Sequence, residues 1–214
     1  MTIQRPGKII GVGRNYVEHA AELGNAVPKQ PLLFLKPPSA VIGDGEAIVL
    51  PPESAQVEYE GEIGVVIGKR LRRASEAEAR GAIGGITCVN DVTARDLQRS
   101  EELWTRAKGF DTFCPMGPRV VSVDPARLAA LEVRCRVNGV ERQRGRASDM
   151  VFGIVALVAY ASQVMTLEPG DLIATGTPSG VGPLHPGDVV EVEIPSVGIL
   201  RNPVIAAADA PPQA

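Results

Sequence analysis

The chain has 214 residues, 44% of them hydrophobic, and a formal net charge of −3. That is enough to bury the core of one domain, and the scattered basic residues exclude a nucleic-acid or membrane-surface binder. Three cysteines (Cys88, Cys114, Cys135) without CxxC spacing exclude a zinc knuckle or disulfide framework and fit a reducing interior. The N-terminus has no basic-then-apolar leader pattern and no apolar run reaches transmembrane length, so a soluble cytoplasmic protein is expected. With 23 Gly, 18 Pro and 4% aromatics, the composition predicts short strands and many turns rather than a helix bundle.

Gly7 to Gly13 predicts a short strand. Its Gly11-Val12-Gly13 does not open a dinucleotide motif, because Tyr16 stands where the third glycine belongs. Val17 to Leu23 has helical composition, stopped by Gly24. His19 and Glu22 share a helical face there, as a surface pair or as an oriented base. Pro31 to Lys36 predicts an apolar strand closed by Pro37-Pro38, with Lys36 either solvated or pointing into a site. Ala47 to Leu50 predicts another.

Val57 to Ile67 starts as strict alternation and ends as a β-branched run, which predicts a strand entering a buried sheet. Glu58, Glu60 and Glu62 then share one face, neighbours about 7 Å apart. Such a face is either a solvated edge or a buried acid set that must pair with cations or bind metal. Ser75-Glu76-Ala77-Glu78 fits a capping box and starts a helix that Gly84-Gly85 would end. Ile86 to Thr93 predicts a buried strand interrupted by Asp91, the best local candidate for a third ligand beside two of the glutamates. Ala94 to Gln98 reads as a polar loop or turn.

Trp104 to Pro115 holds the only tryptophan and half of the four phenylalanines around Lys108, as a lysine pocket or a well-packed loop. Arg134 to Arg146 predicts a solvated hairpin about Asn138-Gly139. Met150 to Met165 is apolar almost all round and predicts a core helix capped by Ser148 or Asp149. Thr175 to Gly182 is a loop whose backbone can approach a ligand closely, without the lysine of a P-loop. Val189 to Ile194 and Ile199 to Ala206 predict strands, and the tail from Ala207 is expected to fray.

Several of these segments carry a pattern in common. Gly13-Arg14-Asn15-Tyr16 with His19 and Glu22, Phe34-Leu35-Lys36-Pro37, Tyr59-Glu60-Gly61-Glu62 and Asn90-Asp91 occur in that order. Arg95-Asp96-Leu97-Gln98, Lys108-Gly109-Phe110-Asp111 and Thr175-Gly176-Thr177-Pro178 follow. From about Lys8 to Pro203 the chain resembles the fumarylacetoacetate hydrolase superfamily, in its acylpyruvase-like branch.

The resemblance implies an α+β, β-rich fold: a mixed β-sandwich roll with flanking helices, in a homodimer. It divides the chain into a small N-terminal segment with a lid helix (1–50), a catalytic domain (51–206) and a short disordered tail (207–214). It implies one Mg²⁺ or Mn²⁺ per subunit held by Glu60, Glu62 and Asp91, with Glu58 outside the triad. All-oxygen ligation favours such a hard divalent ion. The implied substrate is a 2-oxo acid. The expected reaction is hydrolysis of a carbon–carbon bond in a 2,4-dioxo acid of acylpyruvate or fumarylpyruvate type, giving pyruvate and a carboxylic acid.

On that resemblance His19, oriented by Glu22, activates water, and Lys108 supplies a second cation to the developing enolate. Gln98 and Thr177 position substrate or water, while Arg14 and Lys36 bind its carboxylates. Oxaloacetate decarboxylation and the isomerisation or decarboxylation of diene-dioates such as 2-hydroxyhepta-2,4-diene-1,7-dioate share the same metal and enolate. From a different class, a non-catalytic metal-stabilised binding protein is the remaining alternative.

Overall fold

A computed structural model describes residues 5–22, 24 and 26–210. The chain runs through β1 (Ile9–Gly13), α1 (Val17–Glu22), β2 (Leu32–Lys36), β3 (Val41–Ile42) and β4 (Ile48–Leu50). Next come β5 (Val57–Tyr59), β6 (Gly61–Ile67), α2 (Glu76–Ala82), β7 (Ile83–Asn90), β8 (Thr93–Ala94), α3 (Arg95–Ser100) and α4 (Thr105–Gly109). The last part holds β9 (Cys114–Val121), β10 (Glu132–Val137), β11 (Val140–Arg146), α5 (Ile154–Val164), β12 (Leu172–Ala174), β13 (Gly182–Pro183), β14 (Val189–Ile194) and β15 (Gly198–Ala206).

Among the described residues these strands form three sheets, the β-rich mixed architecture that the sequence predicts. A seven-stranded sheet has the order β2-β1-β12-β6-β7-β9-β3, and a five-stranded sheet the order β11-β10-β14-β15-β4. A small three-stranded sheet, β13-β5-β8, completes the set. β6 lies between β12 and β7, antiparallel to both, and is buried along nearly its whole length. Burial on both faces explains why its residues run apolar instead of alternating. β10 and β14 alternate buried and half-exposed residues, as expected of strands with one wet face. Residues 9–50 supply β1 and β2 to the large sheet, where β1 pairs parallel with β12.

Several local expectations are met. The capping box is present, Ser75 and Glu78 bonding reciprocally at the start of α2. Asn138 and Gly139 both take positive φ (52° and 77°) in the hairpin turn between β10 and β11. The described part of α1 stops at Glu22, and Leu23, where the sequence ends that helix, lies outside the described residues. Gly24 follows at φ 68°. Ala207–Asp209 forms one 3₁₀ turn, and residues 211–214 of the expected frayed tail lie outside the described residues. Cys88, Cys114 and Cys135 are free and buried. No helix among the described residues is long and apolar enough to cross a membrane.

Other expectations are corrected. Val57 to Ile67 is not one strand: it breaks at Glu60, sending β5 and β6 to different sheets. Glu60 leaves the ladder because its N–H donates to the Asn90 side chain at 2.9 Å, while its carbonyl accepts from Asp91 N–H at 2.9 Å. Gly84-Gly85 does not end α2 but lies in β7. There a Cβ on Gly84 would stand 2.7 Å from the Gly68 Cα, so the glycine permits backbone contact. Arg95 to Gln98 is not a loop: it forms most of α3. α5 starts at Ile154, with Gly153 at its N-cap and no side-chain cap from Ser148 or Asp149.

Candidate active site and metal centre

The break at Glu60 turns two glutamates and Asp91 into one cluster. Ligand oxygens of Glu60, Glu62 and Asp91 all lie within 4.8 Å of one another, and all three residues are buried. Gly61 between the glutamates has to be glycine, since a Cβ there would approach the Cys135 Cβ to 2.9 Å. Asp91 follows the last residue of β7, so the end of that strand delivers it beside the start of β6.

Cations surround these acids. Lys108 on α4 donates to Glu60 Oε2 at 2.9 Å and to Asp91 Oδ2 at 2.6 Å. Lys36, at the end of β2, donates to Asp91 Oδ1 at 2.6 Å and to the Val92 carbonyl at 3.2 Å. Arg95 at the head of α3 clamps Glu58 Oε2 at 2.7 Å and Glu60 Oε1 at 2.6 Å, and its third nitrogen donates to Gln98 Oε1. Four buried carboxylates therefore face three buried cations. Glu58 sits outside the triad, held by Arg95 and by Gln56 Nε2 at 2.6 Å.

Glu62 is the acid left over. Its Oε2 accepts the Gly176 N–H at 2.8 Å, and no basic side chain among the described residues forms an ion pair with it. Burial, then Asp91, then Glu60 push its carboxyl well above the ordinary value. Burial also opposes ionisation of Glu60, yet Lys108, Arg95 and His19 outweigh it and hold that carboxyl below the usual range. Lys108 loses solvation as well, but Asp91 and Glu60 raise its pKa and keep it an ammonium.

One cavity of about 410 Å³ opens onto the cluster, with Glu60, Asp91, Lys108, Arg95, Gln98 and Thr177 in its wall. His19, Glu22 and Arg14 close it from the N-terminal side. His19 Nδ1 lies 3.2 Å from Glu22 Oε2, and the other Glu22 oxygen accepts the Gly180 N–H at 2.9 Å. Glu22 thus orients the imidazole and ties α1 to the glycine-rich loop. Asn15 anchors the chain just before α1, donating to the Thr175 carbonyl at 2.8 Å and accepting the Phe152 N–H at 2.9 Å. Phe34 and Trp104 meet edge to face, centroids 5.4 Å apart, and form the apolar wall. A Cβ on Gly11 would stand 2.1 Å from the Phe34 ring, and one on Gly13 would stand 2.9 Å from Trp104. The two glycines that imitate a nucleotide motif therefore make room for these rings.

Of the ten site residues expected from the sequence, eight line this cavity. Glu62 and Lys36 do not: Glu62 lies beside Glu60 and Asp91 in the acid cluster, and Lys36 is buried against Asp91. Sequence reasoning missed Arg95 as the partner of Glu58 and Glu60. It also missed Gln143, whose Oε1 accepts the Gly61 N–H at 2.9 Å and whose Nε2 donates to Thr177 Oγ1 at 2.8 Å. Alternation along β11, charged residues either side of a neutral amide, is the signal that points Gln143 inward.

Three carboxylates with mutually close oxygens and one acid lacking a counter-cation fit a hard divalent ion such as Mg²⁺ or Mn²⁺.

The family described as fumarylacetoacetate (FAA) hydrolase C-terminal matches residues 8–205. An uncharacterized protein of Archaeoglobus fulgidus is 52% identical over 201 residues, covering 94% of this chain and 79% of its own. The mitochondrial oxaloacetate tautomerase FAHD2A of Bos taurus is 43% identical over 213 residues, covering 95% of this chain and 68% of its own. The crystal structure of 5-carboxymethyl-2-hydroxymuconate delta-isomerase from Mycobacterium smegmatis superposes with a TM-score of 0.86 at 46% identity. It covers 94% of this chain and 80% of that one.

Proposed function

The chain belongs to the fumarylacetoacetate hydrolase family, and from that premise we propose that it is a divalent-cation-dependent enzyme that forms and reprotonates the enolate of a 2-oxo acid. The observation that carries this reading is one cavity lined both by Glu60 and Asp91, two members of the acid cluster, and by the His19–Glu22 pair. Two similar proteins, an oxaloacetate tautomerase and a delta-isomerase, are named for reactions that shift a proton and a double bond within an intact carbon skeleton. We therefore take tautomerisation or isomerisation of a 2-oxo dicarboxylic acid as the primary activity.

Bound by Glu60, Glu62 and Asp91, Mg²⁺ or Mn²⁺ would supply the Lewis acid that stabilises negative charge on the substrate's oxygens. His19 moves the proton. Glu22 can only accept when ionised, so Nδ1 keeps its hydrogen toward Glu22 and Nε2 is left as the base. It takes a proton from the carbon beside the oxo group and returns it at a carbon or oxygen. Lys108 adds a fixed positive charge next to the same carboxylates. Because Arg95 occupies Gln98 Oε1, Gln98 offers its amide N–H groups to the substrate. Arg14, 6.0 Å from the Trp104 ring, supplies a cation for the far carboxylate.

A second reading, hydrolysis of an acylpyruvate, uses the same residues with His19 activating water. It is favoured by the oriented His19–Glu22 pair, which serves water as readily as carbon.

The test is to follow loss of the oxaloacetate enol by absorbance, and release of pyruvate from acetylpyruvate, each with Mg²⁺, Mn²⁺ or EDTA. Cation-dependent enol loss without pyruvate supports the primary reading. Pyruvate with acetate from acetylpyruvate supports hydrolysis, and pyruvate with CO₂ from oxaloacetate makes the protein a decarboxylase. No cation-dependent change in any of these overturns the enzymatic reading.

A further inference from the structure

Two acids on one face of α1 reach the glycine-rich loop. Glu18 and Glu22 are four residues apart and so neighbours on the helix surface. Glu18 Oε2 accepts the Ser179 hydroxyl at 3.3 Å, and Glu22 Oε1 accepts the Gly180 N–H at 2.9 Å. Both contacts are exposed to solvent, which competes for them, so their strength depends on a loop already held in place. Gly180 is held from two other sides. A Cβ on it would stand 2.0 Å from the Arg142 carbonyl oxygen, and its φ is 98°, so only glycine lets β11 back it this closely. Its carbonyl accepts the Tyr59 hydroxyl at 2.9 Å. Tyr59 is buried and ends β5, opposite Gly182 of β13, where a Cβ would stand 3.0 Å from the phenol oxygen. Gly182 thus leaves room for the phenol to reach Gly180. Glu58 and Glu60, on either side of Tyr59, are clamped by Arg95, so the strand that carries the phenol is itself fixed.

We propose that Tyr59 is a positioning residue for His19: its hydroxyl fixes Gly180 as the point on which α1 docks through Glu22, which sets the imidazole at the cavity. The contacts run from the Tyr59 hydroxyl to the Gly180 carbonyl at 2.9 Å, and from the Gly180 N–H to Glu22 at 2.9 Å. The last link joins Glu22 to His19 Nδ1 at 3.2 Å. Tyr59 itself does not line the cavity, and it bonds to none of the three acids. Its place next to Glu60 means that one dipeptide serves both halves of the site, Glu60 the acid cluster and Tyr59 the base. That His19 acts as a base rests on the reading given above, whereas the docking of α1 does not.

The test is native-state hydrogen exchange, resolved amide by amide, on the wild-type chain, Tyr59→Phe, Glu22→Ala and the double variant. Tyr59→Phe removes one oxygen and keeps the ring. Two amides report docking: Gly180, bonded to Glu22, and Ala20 within α1, bonded to the Tyr16 carbonyl at 3.0 Å. In Tyr59→Phe their protection is expected to fall about three- to tenfold, the loss of one neutral hydrogen bond, while amides of β6 and β7 keep the wild-type protection. Glu22→Ala should lower Ala20 protection by itself, and adding Tyr59→Phe should lower it no further, because the link is already cut. A Tyr59 that only packs β5 against β13 would leave Ala20 unchanged or lower protection in β6 and β7 alike. Either result, or a further fall at Ala20 in the double variant, overturns the proposal. Where the enol assay shows turnover, Tyr59→Phe is expected to lower kcat by the same factor or less and to keep the wild-type affinity for Mn²⁺. Lost Mn²⁺ affinity would assign Tyr59 to the acid cluster and overturn the docking role. The expected exchange pattern in a chain without turnover would count against the functional reading and leave the docking role standing.

Discussion

The molecule carries two networks of ion pairs built from the same residue types. On the β10–β11 hairpin and β14, Arg134, Arg136, Arg144 and Arg146 pair with Glu132, Glu193 and Glu141. In the buried cluster beside the cavity Lys36, Arg95 and Lys108 pair with Glu58, Glu60 and Asp91. Distances do not tell them apart: Arg136 to Glu193 and Lys108 to Asp91 are both 2.6 Å. Solvent does. Arg144 and Glu141 expose 52% and 37% of their side chains, Lys108 and Glu60 only 2% and 6%. Water screens the first network to nearly nothing, while the second cannot lose a member without stranding a charge in low dielectric. The surface network is balanced by solvent. The buried one has an acid without a counter-cation, Glu62, and that acid is the ligand a divalent cation would take up beside Glu60 and Asp91.

The comparison can be broken at several points. The largest effect is expected from Asp91→Asn, which takes the carboxylate from both Lys36 and Lys108. It should cost about 5 kcal/mol in denaturant unfolding and abolish turnover. His19→Ala leaves the ion pairs intact, so it should lower kcat by about 10²- to 10⁴-fold while cation binding persists. Lys108→Met strands part of the charge on Asp91 and Glu60, but Lys36 and Arg95 remain. A loss of about 3 kcal/mol is expected, and adding Mn²⁺ should recover some of it in a thermal melt. Arg144→Ala sharpens the contrast from the other side: its unfolding free energy should stay within about 0.5 kcal/mol of wild type.

The parts of this arrangement that sequence revealed are those with local causes. Ser75 and Glu78 form a capping box four residues long, and Asn138-Gly139 forms a turn whose chemistry is its own. Glu58, Glu60, Glu62 and Asp91 stood out because charge in an apolar strand pattern needs a partner, and the family resemblance chose Glu60, Glu62 and Asp91 among them. What stayed hidden depends on distant segments. The break at Glu60 comes from the Asn90 side chain, 30 residues on, competing with the sheet ladder. Arg95 was quoted in a motif without its task, since its ion pairs reach back 37 and 35 residues to Glu58 and Glu60. Lys36, at the end of an edge strand, reaches Asp91 55 residues further along the chain, a long-range contact with no trace in composition. The hairpin from Arg134 to Arg146 looked wholly solvated, yet Arg134 and Arg136 are half-buried. Gln143 among them is buried and bonds to Gly61 and Thr177.

A Mn²⁺ titration by calorimetry, run in two buffers of different ionisation heat, tests the central claim most directly. Burial, Asp91 and Glu60 hold the Glu62 carboxyl protonated above its ordinary range, so ligation must expel a proton, and affinity should rise with pH until Glu62 is ionised. The account predicts one ion per chain, proton release visible as a buffer-dependent heat, and loss of both in Glu62→Gln with Arg144→Ala unchanged. Binding that is equally strong in Glu62→Gln, or no binding to the wild-type chain, would contradict it.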